Sequence, residues 1–361
     1  MRVKDGLIRL LEPLGGMGAF VLPGERVLIK PNMLSAKAPE KAVTTHPEVL
    51  RGVIGLVKEA GGIPLVGDSP GIGSCRRVAE KSGMWRVIEE TGAEFAEFME
   101  SVEVAGQGVF KRFEIARPYM EADRLINLAK LKSHEMMTMT CAVKNLFGAI
   151  IGTGKAAWHL KAGVDREMFS RMLLEIYLIR KPDLNIVDAI VAMEGNGPGS
   201  GDPRHVGLLL GGVNPVAVDV IAAECVGIPK KLLHIERMAE KLHLDGADRA
   251  DIRTVGTAPE EARITGFRLP HISDVQFGLP GFLKNRLRHY LTSRPCAIPE
   301  KCRLCGVCVD TCPPQAIAIK DGRLTFDYHR CIRCFCCREL CPDAALDVRE
   351  GALLKYLKKF H

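Results

Sequence analysis

Aromatic side chains make up only 6% of this 361-residue chain, too few for a nucleic-acid surface built on stacked rings. Long apolar runs are also missing. Stretches such as Val206–Val213 fall far short of the roughly 20 residues a spanning helix needs. Asp5 and Glu12 interrupt any apolar leader after Arg2 and Lys4, so a cytoplasmic chain without a secretory signal is expected. Cysteine is scarce in the first 295 residues, which hold three of the thirteen; a disulfide-stapled secreted scaffold would spread them along a short chain. Acid is missing from segments 277–294 and 351–361, whose Lys284, Arg286, Arg288, Arg294, Lys355, Lys358 and Lys359 account for the net charge of +7. Those segments read either as solvated or as a docking surface for an acidic redox partner protein or an anionic membrane face.

What remains is an ordinary globular composition, 47% hydrophobic and 26% charged. Residues 1–265 alternate short apolar strands with amphipathic helices, which predicts an α/β domain around a mostly parallel sheet. Arg26–Lys30, Ile63–Gly67, Arg124–Leu128, Leu184–Ala192 and Val206–Leu210 read as strands, and Val109–Ala116 as an edge strand. Thr45-His46-Pro47 opens a helix through Lys58, with Pro47 in the first turn. Residues 266–294 read as a basic linker, 295–349 as a cysteine domain and 350–361 as a basic C-terminal helix.

The remaining ten cysteines lie between Cys296 and Cys341. Cys302-x2-Cys305-x2-Cys308-x3-Cys312-Pro313 returns 29 residues later as Cys331-x2-Cys334-x2-Cys337-x3-Cys341-Pro342. Paired zinc motifs do not take this form. The repeat resembles the bacterial two-cluster ferredoxin, an α+β fold in which each cubane takes three cysteines from one motif and the fourth from the other. That resemblance implies two 4Fe-4S clusters, one on Cys302, Cys305, Cys308 and Cys341, the other on Cys331, Cys334, Cys337 and Cys312. Cys336 reads as a bystander or a competing ligand, and Cys296 as unligated.

Polar residues gather just beyond the strands of the first domain. Lys30 and Asn32, Asp68 and Ser69, Lys130, Lys132 and His134, Glu194, and Asn214 each follow a different strand. Ligands of open parallel sheets bind outside the carboxyl ends of the strands, so one shared pocket is expected. Lys130, Lys132 and His134 repeat with period two and would share a strand face. That face either holds a small anion or is offset by Asp68, Asp188 or Glu194; a solvated surface strand is the plain alternative. Lys144, Asn145, Lys155 and His159 add further polar groups. His46 is either a helix cap or a ligand. The loops Gly67–Gly73 and Gly195–Gly201 either let a ligand approach the backbone or merely turn tightly.

Lys30-Pro31-Asn32, Thr45-His46-Pro47, Gly67-Asp68-Ser69-Pro70-Gly71, residues 126–148, Met193–Gly199 and Asn214–Asp219 together resemble the domain of unknown function 362 family, in its version with a C-terminal ferredoxin module. The resemblance implies the fold and the cluster module but no reaction. From the residues, the expected activity is that of an electron-transfer oxidoreductase in which the clusters serve an anion-binding domain. Lys30, Asn32, Lys130, Lys132, Lys144 and Asn145 would hold the anion, and His134 would move a proton with Asp68 or Glu194 orienting it. The alternatives are a non-enzymatic electron carrier or adaptor and an iron–sulfur cluster delivery protein.

Overall fold

Strand residues Val27 and Ile29 face one hydrophobic core and Leu28 the other, the alternation of a sheet covered on both sides. The computed structural model describes residues 3–71, 73–152, 154–162, 165–270 and 293–349. The first half comprises α1 (Val3–Leu11), β1 (Arg26–Pro31), α2 (Pro47–Glu59), β2 (Ile63–Val66), α3 (Cys75–Lys81), α4 (Met84–Thr91) and β3 (Glu94–Phe95). A hairpin of β4 (Ser101–Ala105) and β5 (Arg112–Ala116) and the short α5 (Arg117–Glu121) precede β6 (Arg124–His134), β7 (Thr138–Thr140) and α6 (Ala142–Asn145). The domain continues through α7 (Gly154–Ala162), α8 (Arg166–Ile179), β8 (Leu184–Glu194), β9 (Asp202–Gly212), α9 (Pro215–Cys225) and α10 (His234–Lys241).

The sheet runs β3-β2-β1-β6-β8-β9, with β7 paired to β6. Its pairings are parallel from β3 to β8, while β9 and β7 are antiparallel. Helices α1 to α4 cover one face through Leu7, Leu50, Val53, Val78 and Ile88. On the opposite face, α8 packs Phe169, Leu173 and Ile176 against Leu28, Leu65 and Leu125. The expected mostly parallel α/β domain is therefore present. The edge strand expected at 109–116 instead pairs with β4 outside the main sheet. Ile264, Phe267 and Leu269 still pack on the α/β core, so the packed unit runs past residue 265.

Strand β1 has β2 on one side and β6 on the other. The chain order reverses there, which opens a crevice at the carboxyl ends of β1 and β6. His46 positions α2 beside that crevice: its Nδ1 accepts the Glu48 N–H at 3.2 Å, and Pro47 begins the helix with φ already set.

The C-terminal region comprises β10 (Arg294–Ala297), α11 (Val307–Asp310), β11 (Ile317–Lys320), β12 (Arg323–Phe326), α12 (Cys336–Glu339) and β13 (Leu346–Arg349). It contains two small antiparallel sheets, β10-β13 and β11-β12. The 29-residue repeat is visible in the backbone. Leu304 and Arg333, Gly306 and Phe335, and Gln315 and Ala344 form corresponding pairs, all with left-handed φ between 49° and 81°. Non-glycine residues reach that region at a cost of about 1 kcal/mol or more. The linker expectation for 271–292 and the helix expectation for 350–361 lie outside the described residues.

Candidate functional site

Two lysines of the crevice are already neutralised. Lys30 at the end of β1 meets Asp68 Oδ1 at 2.7 Å, while Asp68 Oδ2 accepts the Met33 N–H at 2.8 Å. Lys130 lies opposite Asp188 in the β6–β8 register and donates to its Oδ2 at 2.7 Å. The same Oδ2 accepts the His46 N–H at 2.9 Å, which ties α2 to the sheet. All four side chains are buried. Lys30 and Lys130 therefore hold the crevice together and do not offer free charge to a ligand.

A chain of amides lies beneath them. Lys132 donates to Asn32 Oδ1 at 2.9 Å and to the Val43 carbonyl at 2.8 Å. Asn32 donates to Asn145 Oδ1, Asn145 to Asn127 Oδ1, and Asn127 to Asn185 Oδ1, each at 2.8–2.9 Å. Each buried amide thereby satisfies the next. Asn32 and Asn145 are thus structural wiring, and Asn127 and Asn185, which the sequence reading passed over, complete it. Two asparagines inside continuous apolar runs were the available signal.

The polar end of β6 lies farther along. His134 ends β6, and its Nδ1 accepts the N–H groups of Met136 and Met137 at 3.1 and 3.2 Å. In the neutral ring this puts the proton on Nε2. Nε2 is buried and has no hydrogen-bond partner among the described residues. Burial holds the His134 pKa well below 6.5, with Lys144, His159, Lys132 and Arg166 as repelling neighbours. Burial also lowers Lys144, against the attraction of Glu339 and Cys336, and brings Lys132 down to about 7. His159 stacks on Phe169 with centroids 4.7 Å apart; burial lowers it to about 3.

Asp68 and Glu194 do not orient His134. Asp68 serves Lys30, and Glu194 accepts the Arg268 N–H at 3.0 Å and its Nε at 2.9 Å. The carboxylate facing His134 is Glu339 of α12, with Oε2 3.7 Å from Nε2. Asn214 caps α9, accepting from Val216 N at 2.9 Å. Lys155 of α7 binds Ser69 Oγ at 2.8 Å and the Pro70 carbonyl at 3.1 Å, tying that helix to the loop after β2.

The cysteine region sits directly over this crevice. Arg338 of α12 makes a buried ion pair with Glu135, the residue after β6. Both glycine-rich loops admit it. A Cβ on Gly199 would lie 2.3 Å from the Glu339 carbonyl oxygen, and one on Gly71 would lie 2.7 Å from Leu340 Cδ2. The close approach those glycines permit is to the end of α12 and to Leu340 just after it.

The thiols sort across the two motifs. Cys302, Cys305, Cys308 and Cys341 line one pocket, and burial beside Cys341 pushes the Cys308 thiol up to about 11. Cys337 is likewise raised, by burial and by Cys334, Cys331 and Cys312. Backbone N–H groups of Ala316 and Ala345 donate to Cys312 Sγ and Cys341 Sγ, both at 3.2 Å. Cys336 engages the Cys334 thiol. All the described cysteines are free of disulfides. Among the described residues no group of three or more His, Cys, Asp or Glu side chains forms a site for a metal ion.

Residues 27–224 match the family described as a domain of unknown function (DUF362). The chain belongs to that family. A thylakoid-associated protein of Synechocystis sp. is 41% identical to it over 282 residues, 78% of this chain and 88% of that protein. Among solved structures, the lactate racemase apoprotein from Thermoanaerobacterium thermosaccharolyticum is 14% identical at a TM-score of 0.40, covering 59% of this chain and 52% of the other. A Thermotoga maritima protein is 16% identical at a TM-score of 0.34, covering 53% and 50%. The chain spans about half the length of those two structures. In this member of the DUF362 family the matched segment contains Lys30, Asn32, Asp68, Lys130, Lys132, His134, Lys144 and Asp188, so the crevice belongs to the family domain.

Proposed function

We propose that this is an iron–sulfur electron-transfer oxidoreductase whose α/β domain binds a small anionic molecule beside its cysteine module. Cys302, Cys305, Cys308 and Cys341 would hold one 4Fe-4S cluster, and Cys331, Cys334, Cys337 and Cys312 the other. The observation that carries the reading is the crossover of the fourth thiol, with Cys341 joining the first motif and Cys312 neighbouring the second. The donor set fits: thiolates suit iron–sulfur clusters, and N–H donors to sulfur are one of the means by which proteins tune them. When bound, the clusters supply one-electron transfer, exchanged with a redox partner protein. Lys132 and Lys144 offer positive charge to the anion, and His134 offers its Nε2 proton.

Burial of the crevice beneath α12 favours a second reading, an electron carrier in which the α/β domain is an adaptor. Anion-dependent turnover separates the two. Among the described residues no helix is long and apolar enough to cross a membrane. The acid-free segments 277–294 and 351–361, together with a relative described as thylakoid-associated, support peripheral contact with an anionic membrane surface.

Anaerobic purification with iron and sulfide analysis tests the cluster assignment. About eight iron atoms per chain are expected, and Cys305→Ser or Cys334→Ser should each lose or convert one cluster. A colourless, iron-free protein, or an unchanged iron count and EPR signal in both variants, would defeat it.

A further inference from the structure

We propose that the seam between β6 and α12 is a carboxylate-binding site whose resident occupant is the chain's own Glu339. This deepens, and rests on, the anion-binding part of the function proposed above.

The other carboxylates around the crevice are committed. Asp68 serves Lys30 and Met33, Asp188 serves Lys130 and His46, Glu194 serves Arg268, and Glu135 serves Arg338. Glu339 is different. Its side chain is 14% exposed, and it meets His134 Nε2 only at 3.7 Å, too far for a hydrogen bond. Its charge also attracts both Lys132 and Lys144. One loosely held carboxylate therefore faces a buried N–H, with two lysines close enough to feel its charge.

Unpartnered ring nitrogens mark where a better-seated carboxylate would go. His134 Nε2 and His159 Nδ1 are both buried without a hydrogen-bond partner among the described residues. Each forfeits the bond that a buried polar group ordinarily makes. Among the described residues, the Lys144 ammonium lies over the Phe147 ring, 5.9 Å from its centroid. A free carboxylate can move to satisfy His134 Nε2, whereas the Glu339 side chain is tethered to the backbone of a four-residue helix. The ligand class follows from the occupant: a planar, singly charged carboxylate, small enough to replace one glutamate side chain.

Displacement by a ligand must compete with Glu339, so the apparent affinity of the intact chain is reduced by the occupied fraction. Removing the competing charge should uncover the intrinsic affinity. The test is calorimetric titration of anaerobically prepared full-length protein with propionate, propionamide and inorganic phosphate. Glu339→Gln should bind propionate roughly tenfold or more tightly than the parent, with propionamide showing no gain. Adding Lys144→Met should abolish the gain. Glu339→Ala is a second variant expected to move in the same direction, should the glutamine disturb packing. Equal propionate affinity in parent and both variants would overturn the proposal. An equal gain for phosphate would overturn the carboxylate class. Iron content is read on the same samples. A propionate gain in iron-free protein would support the carboxylate site while the cluster assignment falls. Absence of binding for every anion in every variant would overturn both this site and the anion-binding reading beneath it.

Discussion

His159 lies flat against Phe169 and edge-on to Phe147, its ring centre 5.9 Å from the latter. Burial there takes its pKa from 6.5 to about 3. A histidine depressed in the folded chain is neutral there but gains a proton on unfolding below pH 6.5. Its contribution to stability is therefore complete above pH 6.5 and is lost as pH falls toward about 3. The loss approaches about 1.4 kcal/mol per pH unit for one proton. Glu135, Glu236 and Asp219 are raised by burial and slope the other way, losing stability as pH rises. The informative quantity is thus the difference between parent and His159→Phe, in which those terms cancel. The phenylalanine variant keeps the stack and should gain on the parent steadily as urea midpoints are compared from pH 6.5 down to 4.5. A pH-independent difference would place His159 in a solvated setting. The period-two spacing of Lys130, Lys132 and His134 made the polar face legible in the sequence. It could not show which lysines were already paired, because Asp68 reaches Lys30 from the loop after β2 and Asp188 reaches Lys130 from β8.

At the scale of the elements, β6 and β8 each run for eleven residues, longer than their apolar cores suggest. Their polar ends are paired across the sheet and so remain extended. Asp188 alone joins β8, β6 and the start of α2 through Lys130 and the His46 N–H. Asp188→Ala leaves a buried ammonium unpaired and should cost about 3–5 kcal/mol, read as a fall in chemical-denaturation stability. The double variant Asp188→Leu with Lys130→Met removes both charges and should recover much of that loss. A double variant as unstable as the single one would show that the pair contributes more than mutual neutralisation. Strand positions and the opening of α2 were legible from apolar runs and from His46-Pro47. The antiparallel direction of β9 and the separate β4–β5 hairpin were not, because a strand's own residues carry no record of its partner.

At the scale of the whole molecule, the cysteine region is joined to the α/β domain by a polar seam. Its repeat was readable to the residue from cysteine spacing, and left-handed backbone recurs at the same offset. The docking was not readable, since Glu135 and Arg338 are 203 positions apart and each looks like an ordinary surface charge. The side chains of this pair are 7% and 6% exposed. Arg338→Ala would leave the Glu135 carboxylate buried without its partner, a condition costing about 3–5 kcal/mol. Separation of the two units relieves that cost by returning Glu135 to water. Arg338 is not among the eight proposed cluster ligands, so separation should not empty the module. The expected result is an Arg338→Ala protein with parental iron content, a larger radius of gyration by small-angle scattering, and lost protection of the β6 end in hydrogen exchange. Adding Glu135→Ala removes the stranded charge and should restore part of the compact form. A single variant as compact and as protected as the parent would show that the glycine-lined contacts at Gly71 and Gly199 hold the units together without the ion pair.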